Sequence, residues 1–285
     1  MEPARVPRWI AELPKSRSTD DAFFVDLSFD SRLLLTYRTE RESCLDELID
    51  GSWYPLFRAD PSKHRWCIAQ PLANETLLLV YPRTRGPLEP NAILVDSSGR
   101  EGERWYLGDG IEHCQSDAAG NIWVGYFDEG VYGHQALGQQ GLVKFDQGGQ
   151  PQFQFQRDAG GFPAISDCYA LNVTGQEEAW TCYYTDFPLV RIRNNKAELI
   201  LDQAPAEGSG AMTLDRIGRN CALWSDYEKS SLAHIVDLET RAYRKVPLTT
   251  ADGQTFPAWA CAARGSRLVL ALNSALYEFD LNSDL

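Results

Sequence analysis

The sequence predicts an all-β fold, a six-bladed β-propeller of four-stranded antiparallel blades in which the N-terminal strand completes the last blade. Three observations carry the prediction. Short apolar runs separated by Asp, Asn and Gly turn residues recur in groups of four. The groups repeat about every 40–50 residues, the spacing of propeller blades. The last group lacks its fourth strand, and an unassigned strand precedes the first group.

In chain order, Val6 to Leu13 (VPRWIAEL) has the character of an outer strand. The unit at 20–60 supplies AFFVDL, RLLLTY, a weaker strand from Ser43 to Ile49, and WYPLF. The unit at 63–108 supplies RWCIAQ, ETLLLVY, AILVD and ERWYL. The clearest unit, 109–156, reads IEHCQSD, the turn DAAGN, NIWVGY, a polar insertion, GLVKFD, the turn DQGGQ and PQFQF. Units 164–203 (DCYALNV, EEAWTCYY, LVRIRN, KAELIL) and 208–249 (GAMTLD, RNCALW, LAHIVD, AYRKVPL) follow the same plan. The unit at 256–285 has only WACAA, RLVLAL and ALYEFDL. Residues 5–13 are therefore expected to pair with Ala275 to Leu281, since an open seam would leave unpaired strand edges. A two-sheet β-sandwich has similar strand content but requires no matching positions from unit to unit.

Composition bounds the function. With 44% hydrophobic residues the chain can bury a full core, and with 27 Lys and Arg against 40 Asp and Glu its formal net charge is −13. Such acidity disfavours nucleic acid and anionic membrane as partners. No apolar run is long enough to span a bilayer and the first residues lack a signal-peptide core, so a cytoplasmic protein is expected. The seven cysteines form no C-x-x-C pair, and their odd count fits a reducing compartment with free thiols. The sequence contains no H-E-x-x-H, G-x-S-x-G or phosphate-loop motif, and His64, His113, His134 and His234 show no metal spacing. His134 is read as a solvated residue of the Gly133 to Gly141 insertion, and the acceptor motifs at Asn74 and Asn172 carry no meaning in a cytoplasmic protein.

Aligning the units separates scaffold from site. Tyr37, Tyr81, Tyr126, Tyr183, Trp224 and Asn273 end the second strands and are read as packing between blades, with Trp123 and Trp180 as core. Cys67, Cys114, Cys168 and Cys261 align with Val25 and Met212 on inner strands and are read as buried structural thiols. His113 and Cys114, adjacent in a strand, should face opposite ways. Two residues before these positions, at the top of the channel, stand Phe23, Arg65, Glu112, Ser166, Gly210 and Trp259. Loops after the second strands open on the same face, with Arg38, Arg83 and Arg85 on one side and Asp128, Glu129, Asp186, Asp226 and Tyr227 on the other. The expected working surface is Arg65, Glu112, Ser166 and Trp259 with Asp128, Tyr184, Asp186 and Asp226.

The stretch DAAGNIWVGYFDEGVYG with downstream GLVKFD, within Asp109 to Gln156, resembles the blades of two-component-regulator propellers and related bacterial propellers. That resemblance implies the fold and names no activity. A looser similarity links the chain to the regucalcin and gluconolactonase family, six-bladed propellers that hold a divalent metal at the top of the channel. It implies Glu112 as a ligand position, with Ser166 a weak substitute; Phe23, Arg65, Gly210 and Trp259 at the other strand starts depart from the pattern, and Asp167 and Asp21 join it only through a one- or two-residue shift. Two classes of function follow. One is a non-enzymatic module that binds a protein or small molecule on its top face and needs no cofactor. Acidity favours a basic partner for it. The other is a metal-dependent hydrolase, lactonase or lyase in which Glu112 is catalytic and a divalent cation is the cofactor.

Overall fold

In a computed structural model, residues 2–15, 23–62, 67–72, 75–175, 177–228, 230–258 and 262–284 are described. They form six four-stranded antiparallel sheets arranged as the blades of a propeller. The N-terminal strand β1 (Arg8–Glu12) belongs to the last blade. Blade 1 contains β2 (Phe24–Leu27), β3 (Leu33–Arg38), β4 (Ser43–Ile49) and β5 (Ser52–Ala59). Blade 2 contains β6 (Ile68–Pro71), β7 (Leu77–Val80), β8 (Ala92–Val95) and β9 (Glu101–Trp105). Blade 3 contains β10 (Ile111–Ser116), β11 (Ile122–Tyr126), β12 (Leu142–Phe145) and β13 (Pro151–Gln154), with a short helix α1 (Asp128–Val131) between its second and third strands. Blade 4 contains β14 (Asp167–Gly175), β15 (Glu178–Tyr184), β16 (Leu189–Arg193) and β17 (Lys196–Leu201). Blade 5 contains β18 (Ala211–Leu214), β19 (Asn220–Trp224), β20 (Leu232–Asp237) and β21 (Tyr243–Pro247). Blade 6 contains β22 (Ala262–Arg264), β23 (Arg267–Leu272) and β24 (Ala275–Asp280), and β1 pairs with β24 as its outer strand.

The sequence makes the second strands continuous apolar runs because both faces of each blade are covered. In β3, Leu33 and Leu35 pack against Val269 and Leu276 of blade 6, while Leu34 packs against Ala69 and Leu79 of blade 2. Alternate side chains thus serve two interfaces. Each of the six blade-to-blade interfaces holds its own buried cluster, so the core is a ring of wedges. Tyr37, Tyr126, Tyr183 and Trp224 are buried in those wedges, as are Trp123 and Trp180.

The Asp-x-x-Gly-Asn turn explains its own sequence. Asp117 accepts the backbone N–H of Ala119 and of Asn121 at 2.9 Å each, and the Asn121 amide donates to its other oxygen at 2.9 Å. Gly120 supplies the positive φ of 82° that closes the turn. The same side-chain-to-turn bonding recurs at Asp96, Asp146 and Asp215.

The expectation for the cysteines changes in detail. Cys44, Cys67, Cys114, Cys168, Cys182 and Cys221 are free and buried, while Cys261 lies outside the described residues. The cysteines are not in register, however. Counted back from the first hairpin of each blade, the residues level with Cys114 are Val25, Ala69, Leu171 and Met212. Cys67 sits 69 − 67 = 2 residues nearer the top and Cys168 171 − 168 = 3. At Cys168 the register shift between Asp167 and Ala170 adds to the displacement. Asn172 is fully buried and bonded on both sides of its amide, so its acceptor motif is a coincidence of core sequence. Among the described residues no helix is long and apolar enough to cross a membrane.

Candidate functional site

The inner strands present polar side chains that tie each blade to the next. Asp26 accepts the Ala69 N–H at 2.9 Å. Gln70 accepts the Ser116 N–H at 3.2 Å, and Gln115 accepts the Val173 N–H at 2.8 Å. Asn172 donates to the Met212 and Gly265 carbonyls at 2.8 and 2.9 Å. Arg264, buried on the axis, donates to the carbonyls of Leu27 and Ser116 and to Gln70. Burial lowers this guanidinium to about 10, and it stays charged at neutral pH. Below the belt lies a cavity lined by Arg264 and Gly265, and above it one of about 290 Å³ that opens at the mouth beside Glu112.

At the mouth two carboxylates lie near enough to a third to act on it by charge. Glu112 stands on β10, Asp128 opens α1, and Asp167 opens β14. Burial, with the neighbouring charges of Glu112 and Asp128, raises Asp167 to about 7. None of the three makes an ion pair among the described residues. Ser166 joins two of the loops, accepting from the Tyr132 hydroxyl at 2.9 Å and donating its N–H to the Tyr184 carbonyl at 2.7 Å.

Beside the carboxylates runs a chain of aromatic rings. Tyr184 meets Phe187 at 5.7 Å between centroids, Phe187 meets Tyr169 at 5.4 Å and Tyr227 at 5.5 Å, all edge-to-face. The Tyr227 hydroxyl donates to that of Tyr169 at 3.0 Å. Phe187 is buried and anchors the chain, while Tyr184 is 44% and Tyr227 52% exposed.

The structure thus brings Glu112, Ser166, Asp128 and Tyr184 together, with Asp186 exposed on the adjoining loop. Arg65 and Trp259 lie outside the described residues. Asp226 faces inward, its carboxylate 3.2 Å from Nε2 of buried His234, whose Nδ1 meets the Tyr243 hydroxyl at 2.8 Å. Burial alone would raise Asp226, but bonds from Ser230 and the charges of His234 and Lys245 hold it below the usual value. Arg83, read as part of a basic side of the face, is a tie between blades. It pairs with Asp109 at 3.2 Å and with Glu129, and lies over the Phe127 ring. Sequence reasoning admitted Asp167 to the mouth only through a one- or two-residue shift and left it off the expected surface, and it missed Tyr169 and Phe187. The register shift between Asp167 and Ala170 carries Asp167 to the level of Glu112, and spacing alone gives no sign of it.

The metal implied by the gluconolactonase resemblance finds no fit. Among the described residues no group of three or more His, Cys, Asp or Glu side chains is arranged to hold a metal ion.

Residues 138–279 match the YxzG family, from the insertion of blade 3 through blade 6. No curated protein matches the sequence. Among solved structures the chain is similar to the PQQ-bound aldose sugar dehydrogenase of Streptomyces coelicolor, at 10% identity, TM-score 0.56 and 96% coverage of each chain. It is similar to a gluconolactonase of Xanthomonas campestris at 12% identity and TM-score 0.55, covering 98% of this chain and 99% of that one. It is also similar to the extracellular domain assigned to a one-component system of B. thetaiotaomicron, at 10% identity and TM-score 0.52, covering 94% of this chain and 34% of that one. These likenesses are of fold. The propeller is shared by enzymes and a regulator domain alike.

Proposed function

We propose that this propeller is a binding module whose top face takes a basic protein partner. The observation that carries the reading is the carboxylate trio Glu112, Asp128 and Asp167 set beside the exposed rings of Tyr184 and Tyr227. A lysine or arginine side chain reaching the mouth gains both carboxylates and ring faces. The net charge of −13 adds long-range attraction for a basic partner and repulsion of nucleic acid and anionic membrane. Free, buried cysteines support a cytoplasmic location.

A nonapeptide alternating arginine and glycine serves as probe, with its glutamate counterpart as control. Calorimetry should detect binding of the basic peptide alone, weakening as salt rises. The double variant Asp128→Asn, Asp167→Asn should bind at least about tenfold more weakly, the loss of roughly 1.4 kcal/mol expected for one charge-assisted contact. Because an arriving cation favours ionised Asp167, binding near pH 7 should release a proton, visible as a heat that depends on the buffer. Equal binding of both peptides, or an unchanged double variant, contradicts the reading.

A further inference from the structure

The axial cavity beneath the mouth belongs to no interface described above. Its polar lining is one-sided. The Gln70 side chain is engaged at both ends, bonding to Asp26 and accepting from Ser116 and Arg264. The Gln115 amide donates to the carbonyls of Leu171 and Ala263 at 3.3 and 3.0 Å, and its oxygen accepts from Val173. His113 Nε2 lies 3.1 Å from the Tyr169 carbonyl. A carbonyl only accepts, so that nitrogen carries the hydrogen, and in a neutral ring Nδ1 is an acceptor. What the wall offers a guest is therefore the carboxylates of Asp26 and Glu112 and an imidazole lone pair, with the side-chain donors already used. Val25, Leu171 and Ala211 add apolar wall. The matching guest brings several N–H donors and a positive charge on a short apolar stem.

We propose that this cavity of about 290 Å³ is a binding site for a small primary alkylammonium ion, its head on Asp26, with Glu112 in the lining. Gln70, in the lining, stands between the Arg264 guanidinium and Asp26. The site is distinct from the outer trio, of which it shares only Glu112.

Protonation sharpens the proposal. Burial raises Asp26 to about 7 despite bonds from Ala69 and Gln70. The titratable groups around it are Glu112 and His113 across the cavity, Arg264 behind Gln70, and the thiols of Cys67 and Cys114, which burial and the Asp26 charge push up. An alkylammonium ion keeps its proton to about pH 10, so the pH dependence below neutrality comes from the cavity wall, with Asp26 its main source.

The test is ligand-detected NMR and calorimetry on the full chain with n-butylammonium, and with butyrate as control. At pH 8 butylammonium should bind and butyrate should not. At pH 5, two units below the Asp26 value of about 7, affinity should be about a hundredfold lower. Asp26→Asn keeps an acceptor for the Ala69 N–H and should reduce affinity at pH 8 at least tenfold while flattening the pH profile. Gly210→Phe gives a second check if that variant folds poorly. Gly210 is exposed at the rim, and a side chain there meets open space, so the phenyl ring should obstruct the entrance without disturbing the blade. Asp128→Asn should leave butylammonium binding unchanged, which separates this site from the peptide surface. No binding of butylammonium at pH 8, equal binding of butyrate, or full affinity in both Asp26→Asn and Gly210→Phe overturns the proposal.

Discussion

Burial and two neighbouring carboxylates lift Asp167 to about 7, against an ordinary value of 3.8. A carboxyl whose folded value exceeds its unfolded one keeps its proton in the native state where the unfolded chain has lost it. Between about pH 3.8 and 7 the native state is therefore favoured as pH falls, and above 7 it bears the whole cost of a crowded charge. Asp167→Asn should accordingly raise the melting temperature at pH 8, and the gain should shrink steadily between pH 7 and pH 4. Thermal melts across that range check it, and a loss of stability at pH 8 would show that the carboxylate is held by a cation instead. The residue scale is also where the sequence was least legible. Glu112 stood out as the one acid at a strand start, and Asp128 as a loop acid. Asp167 and Tyr169 reach the same place through a bulge that two-residue alternation does not register. Asp226 looked like its neighbours in sequence, but the histidine that draws it inward lies on the next strand.

The insertion of blade 3, residues 127–141, shows the same limit one level up. In sequence it is a Gly- and Gln-rich stretch that looks solvated, and His134 is indeed exposed. Its glycines nevertheless form a packed stack. A Cβ on Gly138 would overlap the Gly130 carbonyl, and one on Gly130 would lie 2.5 Å from the Asp109 carbonyl oxygen. The stack lets α1 lie flat on the blade entrance, placing Asp128 beside Asp167 and the Tyr132 hydroxyl on Ser166. Gly138→Ala should displace the insertion, costing about 1–3 kcal/mol as overpacking does, and should weaken basic-peptide binding together with stability. His134→Ala on the same insertion should change neither. Melts and peptide titrations of the two variants make the comparison, and an undisturbed Gly138→Ala protein would show that the stack does not position the site.

At the scale of the molecule the architecture was legible because it is repeated. The same four-strand plan is read six times, and alternate faces of each strand serve two interfaces, so an error in one blade is corrected by the others. The seam is the place where this redundancy ends. There β1 pairs with β24, Arg8 meets Glu278 at 2.8 Å, Arg267 holds the same carboxylate from the other side at 2.7 Å, and Trp53 of blade 1 donates to the Glu12 carbonyl at 2.7 Å. Leu13 packs into the cluster that blade 6 shares with blade 1. Removing residues 1–13 therefore takes away an edge strand and part of a core wedge at once, and leaves β24 as an exposed template for pairing. The truncated chain should melt lower and aggregate, seen by scattering and size-exclusion chromatography. Glu278→Gln should give a smaller loss with the monomer retained, because it removes the carboxylate shared by two partly exposed arginines while the strand pairing stays. A truncated protein that remains monomeric with an unchanged melting temperature would mean that the six wedges hold the ring without its N-terminal strand, and that closure by β1 contributes nothing to stability.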